Sequence, residues 1–403
     1  MKKIKILIFI VNYNSYNIKR SKNIFIYKMK DDKNDLGEQE LLEIDEKGNP
    51  IEKPKEEKKQ KSYTKYKIVL GIIVCLIIII SCYFYFNFKK NKKSIFDKTT
   101  LKNLKLKNRV FFGPISHVAE KIENIVKNDV ALVITEGAVV GDYTFSKLQP
   151  EGPFRIDSDE YLPDIKKLAD AVHKYDSYIL LDLVHQGLIS VEQPVYSPSG
   201  DKGLINKEIQ SKAMTKDDII RIQDYFVQGA IRAKKAGYDG VEIHGAQLTL
   251  VSLFSSTKFN RRTDEYGGSD ENRARFIVEI VQKIRKAVGN DFIISAKIDS
   301  TDEENGFTES GFIYLGKALE QAGLDLMEIS GPNPIRKDKD PYFYNDTKKL
   351  ADILKIPIIC IGGISKYEQA DYIVKNSNIQ YIAMSRELLK QPDIVKKWYL
   401  NNQ

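Results

Sequence analysis

Cysteine is scarce in this chain. Cys75, Cys82 and Cys360 are the three in 403 residues, and no two of them form a CxxC pair. That spacing excludes a disulfide framework, a cysteine-built zinc site and an iron–sulfur cluster, so no metal is expected. Two of the three lie in an apolar run and one in an expected buried strand, and cysteine usage gives no sign of a secreted fold. A block of charge of one sign is also missing. The net charge of +8 comes mostly from Lys interleaved with Asp and Glu, which reads as a solvated surface, and no nucleic-acid partner is expected. Residues 1–66 lack the material for a core: they are rich in Lys, Asn and Glu and, from about residue 29, poor in large apolar side chains. Such a composition buries too little surface to offset chain entropy and predicts a disordered tail. The opening MKKIKILIFIV is a feeble signal sequence, because Lys5 interrupts it and no small-residue cleavage site follows.

Charge disappears altogether from Ile68 to Phe86, IVLGIIVCLIIIISCYFYF. As a helix these nineteen residues would rise roughly 28 Å, close to the ~30 Å of a hydrocarbon core. Tyr83 and Tyr85 fall near one end, and Lys clusters bracket the run. Residues 67–88 are therefore expected to be one transmembrane helix, making the protein a single-pass membrane protein with the membrane as a partner through 68–86. Both flanks are positive, so charge does not choose the orientation.

From residue 94 onward short β-branched runs alternate with amphipathic stretches. Expected strands are Val110–Gly113, Ala131–Thr135, Tyr178–Val184, Gly240–Ile243, Phe292–Lys297, Leu326–Ile329, Pro357–Ile361 and Tyr381–Met384. Helical patterns include Tyr161–Tyr175, Lys216–Ala236, Glu271–Val288 and Ser310–Ala322, the last ending at Gly323. Eight apolar strands, each followed by a helix, predict an α/β fold, a closed (β/α)8 TIM barrel over 94–403. Periodicity alone leaves a doubly wound sheet as a rival.

Chemistry in such a barrel sits at the C-terminal strand ends. Read in order, those ends carry NRVFFGPIS (108–116), VITEGA (133–138), DLVHQG (182–187), VEIHGAQ (241–247), FNRRTDEYGGSDENRARF (259–276), SAKID (295–299), EISGP (328–332), IGGI (361–364) and AMSRELLKQPD (383–393). This ordered set resembles the NADH:flavin oxidoreductase/old yellow enzyme family, in particular its enoate-reductase-like branch, over essentially all of 95–403. The resemblance implies non-covalent FMN, reduced by NADH or NADPH and reoxidised by an electron-poor alkene, the small-molecule substrate. FMN and reduced nicotinamides are cytosolic, which would place the barrel on the cytoplasmic side.

The resemblance also implies roles. Pro114, Ile115 and Ser116 would meet the N5/O4 edge of the flavin, where a hydroxyl tunes its potential. Gly137 corresponds to a small residue beside the ring. Lys297 stands where the family has a cation near flavin N1 and O2, favouring the negative charge of the reduced ring. Gly362 and Gly363, with Ser385 and Arg386, would hold the phosphate through backbone N–H groups and a charge-assisted bond. His244 and Gln247 correspond to the pair that grips the substrate's carbonyl oxygen, two neutral donors stabilising the developing enolate.

The pattern breaks in three places. Asp182 stands where the family has Gln against flavin N3 and O2; a buried pair with Lys297 would neutralise its charge. Thr249 replaces the family's proton-donating Tyr, and Leu248 the Gly before it, so the proton would come from Tyr342, Tyr344 or water. The first strand and its connection to the second are short, with only 21 residues from Val110 to Val130. These departures keep open a second reading, a catalytically impaired, membrane-tethered barrel that binds flavin or another ligand. A flavin enzyme acting on RNA uridines would need a catalytic cysteine, and Cys360 lies inside a strand.

Overall fold

The computed structural model describes residues 69–81, 93–141, 154–333 and 341–402. Two compact units divide the chain, Met1–Lys90 and Asn91–Gln403. In the first, the described residues are one helical stretch, 69–81, with every side chain exposed. Among the described residues no helix is long and apolar enough to cross a membrane. The expected transmembrane helix at 67–88, the single-pass membrane localisation, the cytoplasmic orientation built on it and the membrane partner are thereby corrected. The flanks of the run and the expected disordered tail at 1–66 lie outside the described residues.

Among the described residues of the second unit, eight strands form a ring, β1 Val110–Phe112, β2 Leu132–Ile134, β3 Tyr178–Val184, β4 Gly240–Gly245, β5 Ile293–Asp299, β6 Leu326–Ser330, β7 Ile358–Ile361 and β8 Tyr381–Met384, and a short strand at Ala138–Val139 pairs with the end of β3. The eight pair in parallel in the order β2-β1-β8-β7-β6-β5-β4-β3. A further pairing of Leu132 with Tyr178 and Ile134 with Leu180 joins β2 to β3 and closes the ring. Closure is what separates a barrel from an open doubly wound sheet. Helices follow the strands in turn: α1 Ala119–Val126, α2 Leu162–His173, α3 Lys216–Lys235, α4 Asp270–Val288, α5 Glu309–Gln321, α6 Tyr344–Ala351, α7 Tyr367–Lys375 and α8 Ile394–Asn401. Their starts are written in the sequence. Thr215 and Asp218 form a capping box on α3, and the hydroxyls of Ser269 and Thr308 accept backbone N–H groups at the starts of α4 and α5.

Alternation along the strands sorts side chains into two cores. On β5, Ile294, Ala296 and Ile298 face outward and pack with helix residues such as Phe276 and Ile280. Inward-facing Ile293 joins Phe111, Leu132, Leu180, Leu326, Ile359 and Tyr381 in a cluster at the N-terminal end of the barrel. An antiparallel hairpin, Thr99–Leu101 with Leu104–Leu106, adds Leu101, Leu104 and Leu106 to that cluster and closes this end. Above it the inward positions on β3 to β6 turn polar: Asp182, Glu242, His244, Ser295, Lys297 and Glu328, all buried.

The long segment after β4 owes its shape to the block 259–276. The Asn260 amide donates 2.7 Å bonds to the carbonyls of Phe254 and Tyr266. Arg262 pairs with Asp264 and donates to the Pro198 and Met214 carbonyls. A Cβ at Gly267 would lie 2.4 Å from the Arg262 carbonyl oxygen. These residues tie the segment after β4 to that after β3, so the block is a brace rather than part of the chemistry.

Candidate active site

A cavity of about 640 Å³ opens at the C-terminal mouth of the barrel, a size suited to a small ligand. It brings together Pro114 and Ile115 after β1, Gln247 after β4, Lys297 on β5, Gly362 and Gly363 after β7, and Ser385 and Arg386 after β8. Ser330, Tyr342 and Phe343 complete much of the wall. Gly362 and Gly363 take φ values of +95° and +71°, a backbone that only glycine adopts without strain. Gly113 permits a close approach: a Cβ there would stand 2.6 Å from Ile361 Cδ1 and 2.6 Å from Ser385 Oγ.

Lys297 is buried and pairs with Glu328 at 3.2 Å. Burial alone would lower its ammonium, but the carboxylates of Glu328, Glu242 and Asp182 hold it above the ordinary lysine range. The same burial raises the carboxyls of Glu242 and Glu328, against the pull of Lys297. Three inward-facing carboxyls therefore share this lysine, with Glu242 also accepting from the Ser295 hydroxyl at 2.9 Å. The expected Asp182–Lys297 pair is corrected: Asp182 Oδ2 lies 2.6 Å from His244 Nδ1 instead. Adjacent strands explain the choice, since β3 neighbours β4 while β5 neighbours β6.

That pairing constrains His244. An ionised carboxylate only accepts, so Nδ1 carries the proton, and Nε2 of a neutral ring is left as an acceptor. Nε2 is buried, and no described group hydrogen-bonds to it. A hydrogen bond from His244 to a substrate oxygen would have to come from Nε2, the ring nitrogen that Asp182 does not engage. The other donor, the Gln247 side-chain amide, lines the cavity and reaches Ser330 Oγ at 3.5 Å.

Several expected residues lie beside the cavity rather than on it. The buried Ser116 hydroxyl accepts from the Val118 N–H at 3.2 Å, as a turn hydroxyl does. Gly137 is small because Val184 is close, a Cβ there standing 2.8 Å from Val184 Cγ1. The Thr249 hydroxyl donates to the carbonyls of His244 at 3.0 Å and Ala246 at 2.9 Å, which commits it to the backbone. His185 accepts from Leu250 N–H through its carbonyl and anchors the short helix Leu250–Ser255. Of the proposed proton donors, Tyr342 lines the cavity, while the Tyr344 ring packs 6.2 Å from Tyr372. Burial pushes the Cys360 thiol up to about 12, which removes it as a nucleophile.

Glu242, Glu328 and Asp299 were not singled out from sequence. The available signal was a carboxylate inside an apolar strand, at VEIH and MEIS, because a charge on a barrel strand must face either a partner or a site.

Residues 94–401 match the NADH:flavin oxidoreductase / NADH oxidase family. The chain belongs to that family. Among relatives, it is 30% identical to an NADPH dehydrogenase of Geobacillus sp. (strain WCH70), over 74% of this chain and 91% of that one. It is also 30% identical to an NADH oxidase of Thermoanaerobacter brockii, over 75% of this chain, but spans only 50% of that longer protein. Among solved structures, morphinone reductase superposes with a TM-score of 0.66 at 26% identity, covering 77% of this chain and 90% of that one. An old yellow enzyme homologue from Zymomonas mobilis superposes equally well, with a TM-score of 0.66, but at 21% identity it speaks for the fold alone. The family member described here is thus a flavin-dependent oxidoreductase with FMN as its cofactor and a reduced nicotinamide as its electron source.

Proposed function

We propose that the cavity holds FMN and that the enzyme reduces an activated alkene, an α,β-unsaturated carbonyl or a similar acceptor. One observation carries this reading: a buried cation, a neutral amide donor, a Gly–Gly loop after β7 and the Ser385–Arg386 loop after β8 line one cavity at the C-terminal mouth. The residues fit the cofactor, since Lys297 supplies the only kind of charge that favours a reduced ring and the loops at 362–363 leave backbone N–H groups unshielded by side chains. Bound FMN would supply a ring that accepts hydride from NADH or NADPH and passes it on.

The chain's own residues do the rest. Arg386, Ser385 and the backbone at Gly362 and Gly363 hold the phosphate. Pro114 and Ile115 line the wall beside them, just after the strand next to β8, and Lys297 balances charge arriving on the ring. The Gln247 amide donates to the substrate carbonyl oxygen, joined by His244 through Nε2, and both bonds strengthen as that oxygen gains negative charge. Thr249 is committed to two carbonyls, so the Tyr342 hydroxyl or solvent delivers the proton to the α-carbon.

The full chain, purified and supplied with FMN, is expected to be yellow. Under anaerobic conditions NADH or NADPH should bleach the visible flavin band, and 2-cyclohexenone should restore it. Colourless protein that takes up no FMN refutes the reading. Bleaching without recovery supports instead the second reading, a flavin-binding barrel impaired in alkene reduction, which the commitment of Thr249 favours.

A further inference from the structure

Gln247 and Leu248 both adopt left-handed backbone, with φ of 61° and 60°. Residues with a Cβ seldom do so singly and rarely in succession, and such a turn persists only where its surroundings hold it. Four bonds hold this one. Beyond it, Leu250 N–H donates to the His185 carbonyl at 3.0 Å, and the Thr249 hydroxyl reaches back to His244 and Ala246. Within it, the Gln247 N–H donates to Asp299 Oδ1 at 2.9 Å. The other Asp299 oxygen accepts from the Ser252 hydroxyl, on the short helix that follows the turn. Asp299 is buried at the C-terminal end of β5, so one carboxyl links the strand, the turn and the helix.

We propose that Asp299 is a positioning residue, holding the left-handed turn at Gln247–Leu248 so that the Gln247 side-chain amide faces the cavity and meets the substrate oxygen. The proposal rests on the reading of Gln247 given above. What the turn needs from Asp299 is an acceptor, not a charge. A protonated carboxyl still offers one bare oxygen to the Gln247 N–H while its O–H turns to Ser252, whose hydroxyl also accepts. Asparagine offers the same pair, oxygen to Gln247 and amide to Ser252. Alanine offers neither. Leu248→Gly acts from the other side, because glycine enters left-handed backbone freely and leaves less for Asp299 to hold.

Two measurements on the full chain test this. Hydrogen exchange at the Gln247 amide reads the turn without any cofactor, and titration of the visible flavin band with 2-cyclohexenone reads binding to the oxidised, FMN-loaded protein. Asp299→Ala should speed exchange and weaken binding about tenfold, as the loss of one buried hydrogen bond implies. Asp299→Asn should rescue both, to within about twofold of wild type. Leu248→Gly added to Asp299→Ala should recover most of the lost binding, a non-additivity expected of residues acting on one turn. Should Asp299→Ala alone not fold, the double variant compared with Leu248→Gly carries the same decision through exchange. Wild-type behaviour of Asp299→Ala overturns the proposal, as does Asp299→Asn behaving like Asp299→Ala. Protein that takes up no FMN refutes the proposed function instead, and exchange then decides the turn by itself.

Discussion

The inward faces of the barrel fall into two unlike halves. On β3 to β6 they carry Asp182, Glu242, His244, Ser295, Lys297 and Glu328. On β7, β8, β1 and β2 they carry Ile359, Ile361, Tyr381, Ala383, Phe111, Leu132 and Ile134. The first half places ionisable groups in an environment that penalises each of them unless it is paired, so the groups come as partners: Asp182 with His244, Lys297 with Glu328, Glu242 with Ser295. The second half is ordinary packing, and its contribution to the site comes from its loops, at Gly362–Gly363 and Ser385–Arg386. One half tunes charge at the centre of the cavity; the other holds a ligand at its edge. Substitutions should therefore behave differently in the two halves, with stability and chemistry moving together in the first and affinity moving alone in the second.

The largest effect belongs to Lys297. Lys297→Met should destabilise the fold by about 3–5 kcal/mol in urea unfolding, since it strands buried carboxyls without their cation. Adding Glu328→Met should return most of that loss while leaving the protein unable to support rapid flavin reduction. If Lys297→Met alone unfolds no more easily than wild type, the polar half is not the charge-balanced unit described here.

A smaller effect separates Asp299 by pH. Burial raises its carboxyl to about 7, against the hydrogen bonds from Ser252 and Gln247 and the charges of His244 and Lys297. An unfolded chain releases this proton near pH ~4. Between those values the folded protein keeps a proton that the unfolded chain has shed, so stability is full below about pH 4 and falls as pH rises to about 7. Asp299→Asn has no proton to lose. The stability difference between variant and wild type should thus shift in favour of Asn by up to about 4 kcal/mol across that range. A difference that stays flat with pH in urea titrations would show that Asp299 is not desolvated in solution.

The two halves also differ in how much of them could be read from residues alone. All eight strands appear within one or two residues of their expected bounds, because strands of a closed parallel barrel are buried on both faces and read as continuous apolar runs. Cavity residues on loops, Gln247, Gly362, Gly363 and Arg386, follow strand ends and were legible from position. Partnership within the polar half was not. Asp182 was expected to meet Lys297 and meets His244, 62 residues away in sequence, because only the strand order β5-β4-β3 decides which inward side chains adjoin. Thr249 was placed in the chemistry by its position, and its hydroxyl is spent on carbonyls that exist only once the turn has formed. At 68–86 an uncharged run suggested a membrane span, yet among the described residues no helix is long and apolar enough to cross one.

The smallest predicted effect lies in the loop half and is the cleanest, because it sets one ligand against another. Arg386 lines the cavity beside Gly362 and Gly363 and begins the short helix Arg386–Lys390. If its guanidinium holds a phosphate, Arg386→Ala should weaken FMN binding about tenfold, near 1.4 kcal/mol, in fluorescence titration. Riboflavin has the same ring and no phosphate, so its weaker affinity should be the same in variant and wild type. Lys297→Met should disturb both ligands, since it acts on the ring. An equal loss of FMN and riboflavin in Arg386→Ala would move Arg386 from the phosphate to the ring, and with it the division of labour between the halves.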